Sequence, residues 1–137
     1  MTLSKTHKAY FDAAKAVSKM SDYKSVNVGC VVVYNHRIIS SACNSNKTDP
    51  LQKKLNIARF VEDGKHSAHS ETLALKPLIG DRSIDFSKVS LYVYREYKNG
   101  QVALARPCPS CEKLIRSLGI KKVYYNGNNS YVFESFV

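Results

Sequence analysis

Pro107-Cys108-Pro109-Ser110-Cys111-Glu112-Lys113-Leu114-Ile115-Arg116-Ser117-Leu118-Gly119 decides how this 137-residue chain is read. The stretch carries helix punctuation at both ends. Proline sits in the first turn, where a missing N–H is no loss, and Gly119 supplies a C-terminal cap. Leu114, Ile115 and Leu118 recur at helical spacing on an inward face. Two cysteines three apart at a helix start share one side of it. Free amide N–H groups and the positive end of the helix dipole favour their thiolate forms there.

Strands flank this helix. SLYVYREY (90–97) precedes it and reads as buried, followed by an Asn99-Gly100 turn and QVALA (101–105) as a short return strand. KKVYYN (121–126) follows it, and YVFESFV (131–137) reads as a last strand. Two parallel neighbours need a crossover of about a dozen residues. Only Asn126 to Ser130 separate KKVYY (121–125) from the last run, and Asn126-Gly127 favours a hairpin, so the last strand is expected antiparallel. Upstream, a helix is expected from near Ser67 through HSETLALK (69–76), with Pro77 close to its end. VGCVVVY (28–34) and RIISSA (37–42) flank Asn35-His36 as a hairpin, and an opening helix over about 4–20 places Tyr10, Ala13, Ala14, Val17 and Met20 on one face. The span from Asn44 to Lys65 is the least regular, with partial helix around QKKLNIARFV (52–61). The order α, β, β, α, β, α, β, β predicts an α/β chain: a three-layer α/β/α domain over 1–137 with a mixed five-stranded sheet.

The second chemical fragment is His69-Ser70-Glu71. One imidazole and two thiolates make three protein ligands for tetrahedral Zn²⁺: His69, Cys108 and Cys111. Such a set leaves a fourth position for water, the layout of a catalytic site. Glu71, two positions after His69, need not bind metal and is free to move the water's proton. A C-x-x-C pair alone is weak, because redox motifs and zinc ribbons share it. A single pair excludes a ribbon built from two, and a redox dithiol leaves His69 and Glu71 unexplained.

Composition constrains the rest. With 21 Lys+Arg against 11 Asp+Glu the net charge is +10, which attracts anionic partners without separating a phosphorylated metabolite from a nucleic acid. The basic residues are scattered, which argues against one dedicated stripe. No apolar run approaches the roughly 18 residues of a membrane span, and no secretory signal is visible, so a cytoplasmic protein without a membrane partner is expected. The four cysteines then read as thiols or ligands rather than disulfides.

The pattern HSE followed by PCPSC resembles the zinc-dependent cytidine/deoxycytidylate deaminase superfamily. The likeness extends to VGCVVV, RIISSACN, LYVY and IKKVYY, covering residues from about 5 to 126. It implies a cytidine-deaminase-like fold, a zinc cofactor and hydrolytic deamination of a cytosine-type nucleoside or nucleotide to its uracil product. Deamination of cytosine or adenine in RNA or single-stranded DNA is the alternative substrate class. A silent zinc- or nucleic-acid-binding module is a third reading, against which Glu71 stands. Histidine as the first ligand resembles the deoxycytidylate, tRNA-adenosine and polynucleotide-editing branches, whereas an antiparallel last strand resembles the free-nucleoside branch. The two signs conflict. The resemblance further implies a homo-oligomer, a substrate contact from Asn44 and a small residue near the base at Cys30, while Ser70 stands where alanine is commoner. Arg106, just before the cysteine loop, and Lys47, Lys53, Lys54 and Arg59 are candidates to hold a phosphate. His66 reads as a solvated residue rather than a ligand. REYKNGQVALAR (95–106) is longer than the loop of many relatives and adjoins the site.

Overall fold

The structure, a computed structural model, describes residues 3–58 and 67–136. Its elements are α1 (Lys5–Ser18), β1 (Val26–Tyr34), β2 (Arg37–Cys43), α2 (Pro50–Ala58), α3 (Ser70–Leu75), β3 (Ser90–Tyr97), α4 (Pro109–Leu118), β4 (Lys122–Asn126) and β5 (Tyr131–Ser135). The strands form one mixed sheet in the order β2-β1-β3-β4-β5. Only β3 and β4 run parallel, with α4 as their crossover. Asn35 and His36, at φ 51° and 63°, turn β1 into β2, the left-handed pair a two-residue hairpin requires. β5 is antiparallel to β4, pairing Tyr124 with Phe133 and Asn126 with Tyr131, as the short connection demands.

Side chains alternate between the sheet's faces. Cys30, Val32, Leu91 and Val93 join Leu75, Leu114 and Ile115 in the larger core. Val31, Val33, Tyr92 and Tyr94 pack with Phe11 and Ala14 of α1 in the smaller one. On that side Tyr92 and Tyr124 lie parallel, their ring centres 4.6 Å apart. Gly29 brings α1 close to β1: a Cβ there would collide with the backbone of Ala14 and Ser18. Among the described residues, no helix is long and apolar enough to cross a membrane.

Several local expectations shift. α1 ends at Ser18, whose hydroxyl donates to the Lys15 carbonyl at 2.6 Å, so Met20 lies beyond the helix and is 77% exposed. α2 starts at Pro50, where Asp49 Oδ1 accepts from the Leu51 and Gln52 amides at 2.9 and 3.1 Å. The helix expected from near Ser67 begins at Ser70, because Ser67 bridges to Thr48 and the Ala68 amide donates to the Lys47 carbonyl. QVALA makes a bridge at Val102 rather than a strand. Its next amides divide their loyalties: Ala103 donates to Arg95 of β3 and Ala105 to Asn126 of β4.

Candidate metal centre and active site

Two helix starts meet beside the sheet. His69 caps α3 with extended backbone, Cys108 does the same for α4, and Cys111 sits one turn inside. Both sulfurs lie 3.4 Å from His69 Nδ1, and the three donor atoms fall within 4.8 Å of one another. Two soft sulfurs and one imidazole fit zinc by donor type. The His69 backbone is fixed from behind. Gln52, fully buried on α2, accepts the His69 amide N–H at 3.1 Å and donates to Asn56 Oδ1 at 3.0 Å. The hydrogen bond from Cys111 draws the Cys108 thiol down to about 4, against the burial that opposes it, with His69 helping. The same pairing with Cys108, together with burial, pushes Cys111 up.

Glu71 lies in the first turn of α3 and is only 5% exposed. Ser70 Oγ, also buried, donates to Glu71 Oε1 at 2.6 Å, which holds one carboxylate oxygen and leaves the other uncommitted to Ser70. A cavity of about 220 Å³ opens onto His69, Glu71 and Cys108, with Asn44, Arg95 and Arg106 on its walls. Asn44 is buried at the end of β2. Its Oδ1 accepts from the Val28 amide and its Nδ2 donates to the Val26 carbonyl, both at 3.0 Å, so the side chain splices β1 at the cavity wall.

The structure brings His69, Ser70, Glu71, Asn44, Cys108 and Arg106 to this one cavity. Cys111 completes the donor cluster from below. Cys30 is fully buried in the larger core, close enough to Glu71 that burial first and that carboxylate second push its thiol up. Arg106 is held by carboxylates: Nε and Nη2 grip both oxygens of Glu134 at 3.0 and 2.8 Å, and Nη2 reaches Glu112 at 2.7 Å. Lys47, Lys53 and Lys54 are exposed, whereas Arg59 and His66 lie outside the described residues.

Sequence reasoning missed Gln52, Arg95 and Asn126. For Arg95 a signal existed: alternation along SLYVYREY puts this cation on the same face as Leu91 and Val93. Asn126 is buried and fixes the Arg95 backbone, accepting its N–H at 2.9 Å and donating to the Ala103 carbonyl at 2.7 Å. For Gln52 and Asn126 the sequence carried no such mark.

A sheet sandwiched by helices, with a sulfur-and-imidazole cluster beside a buried carboxylate, defines a protein built to hold one divalent metal. Comparison with known proteins gives the particular family. The family model for the cytidine and deoxycytidylate deaminase zinc-binding region matches residues 4–126, and the chain belongs to that family of zinc-dependent hydrolytic deaminases. Solved structures share its fold. The dCMP deaminase of cyanophage S-TIM5 is 23% identical with a TM-score of 0.60, covering 94% of this chain and 87% of its own. A complex of that cyanophage enzyme with dCMP and dUMP gives 0.62 at 23% identity over 91% and 83%. Cytidine deaminase from Burkholderia pseudomallei gives 0.65 at 19% identity over 99% and 94%. A comparison with curated protein sequences finds no match.

Proposed function

We propose that this chain removes the exocyclic amino group of a cytosine-type nucleoside or nucleotide by hydrolysis, leaving the uracil product and ammonia. The observation that carries the reading is the buried Glu71 carboxylate at the floor of a cavity shared with His69 and Cys108. His69, Cys108 and Cys111 would hold zinc, which when bound acts as a Lewis acid and makes water acidic enough to ionise near neutral pH. Every proton step falls to Glu71. Its oxygen takes the proton of the attacking water, delivers it to the ring nitrogen, and then serves the departing amine. The hydrogen bond from Ser70 fixes the carboxylate plane for those transfers. Asn44 keeps one amide hydrogen and one lone pair beyond its bonds to β1, which supports a contact to substrate sugar or base. The cyanophage enzyme seen with dCMP and dUMP makes the 5′-monophosphate the first substrate to try. A homo-oligomer belongs to the same reading and is checked by sedimentation.

The test is ammonia release by the zinc-loaded protein from cytidine, deoxycytidine, their 5′-monophosphates and short single-stranded oligonucleotides. Turnover of a free nucleoside or nucleotide is expected. Release from oligonucleotides alone would overturn the reading. Glu71→Gln is expected to keep its zinc and lose at least about 10²-fold in kcat, the usual range for a positioned acid–base group. Undiminished release by that variant would remove Glu71 from the mechanism.

A further inference from the structure

Arg95 is a cation in the catalytic cavity that the mechanism above does not use. It lies on β3 opposite Val28, with its backbone fixed on both sides by Asn126. The guanidinium is poorly engaged. Among the described residues its one hydrogen bond runs from Nη1 to the Leu104 carbonyl at 3.5 Å, the limit of a meaningful contact. Nε is buried and has no partner among the described residues. Arg106 on the same wall is the opposite case, its charge met by Glu112 and Glu134. Among the described residues no carboxylate lies within ion-pair distance of Arg95. A buried N–H without an acceptor is costly, and a half-buried guanidinium whose charge no carboxylate meets stays open to an anion. The unmet charge suits one kind of ligand: an anion with two or more oxygens, set against the accessible end of the guanidinium's planar fork.

We propose that Arg95 is the anion receptor of this cavity and selects a substrate bearing a 5′-phosphate over the corresponding neutral nucleoside. This rests on the deaminase reading and narrows it to nucleotides. Arg106, already neutralised, shapes the mouth beside it. A guanidinium that instead met the base carbonyl or a sugar hydroxyl would serve nucleoside and nucleotide equally, and one that merely packed would discriminate neither.

The experiment compares kcat/KM for deoxycytidine and its 5′-monophosphate using the zinc-loaded protein, Arg95→Gln and Arg95→Lys. Zinc content and circular dichroism serve as folding controls. Wild type is expected to prefer the monophosphate. Arg95→Gln should lose about 10- to 100-fold on the monophosphate, the worth of a hydrogen-bonded charge pair, and under about threefold on the nucleoside. Arg95→Lys, which keeps the charge without the fork, should lie between. Equal kcat/KM on the two substrates in wild type overturns the proposal without any variant. Equal losses on both substrates, or on neither, overturn it too. Calorimetric titration with inorganic phosphate separates the two readings. Phosphate binding that requires Arg95, with no ammonia from any substrate, would sink the deaminase reading and leave the receptor standing. Ammonia release indifferent to Arg95 does the reverse.

Discussion

Gln52 shows how much of a metal site rests on a residue that never touches the metal. It fixes the His69 backbone from a fully buried position. Gln52→Leu preserves approximate volume but strands the His69 N–H. A loss of about 1–3 kcal/mol in stability is expected, read from the urea midpoint, with weaker zinc retention against a competing chelator. The donors themselves were legible in the sequence, because sulfur and imidazole at helix-start spacing have few other uses. Gln52 and Asn126 were not, since each works through a neighbour distant in the chain. His69 lies 17 residues from Gln52, and Arg95 lies 31 from Asn126.

At the scale of elements, Gly29 sets the separation of α1 from the sheet. The groups it would strike are backbone atoms of Ala14 and Ser18, which can retreat only if the helix lifts. Gly29→Ala is therefore expected to cost about 1–3 kcal/mol and lower Tm by several degrees, as overpacking does. β5 is tied down by charge as well as by pairing. Glu134 on β5 and Glu112 on α4 are both held below the usual carboxylate range, in each case first by the hydrogen bond from Arg106. Depressed acids stabilise the fold above their unfolded values near pH 4.3 and release that stability as pH falls through the lower folded ones. Arg106→Met should thus be less stable than wild type at pH 6, by roughly 1 kcal/mol for such half-exposed pairs, with the gap closing towards pH 3. Denaturant midpoints across that range decide it. The direction of β5 followed from the short connection. The fate of residues 101–105 did not, because two strands compete for their amides and sequence alternation is blind to such sharing.

Across the whole molecule, the donor cluster joins α3 to α4, and Gln52 ties α2 into the same node. Metal bound to the native state alone stabilises it by mass action. Removing zinc with a chelator should lower Tm by several degrees and do so reversibly, whereas Glu71→Gln should show the same metal-dependent shift as wild type. A scan with and without chelator on both proteins checks this. The three-layer arrangement was legible from the order of elements, whereas α4 as the crossover between parallel β3 and β4 came from the strand pairing. Which face each helix covers followed only from the packed strands.

The parallel tyrosine rings on the α1 side give the protein an optical property. The chain has nine tyrosines and no tryptophan, so its ultraviolet emission comes from phenols alone. Tyr92 and Tyr124 form the one parallel-stacked tyrosine pair among the described residues, on the sheet surface turned away from the donor cluster. Coupled transitions in such a pair colour the near-ultraviolet dichroism, so part of that band will follow the seating of α1.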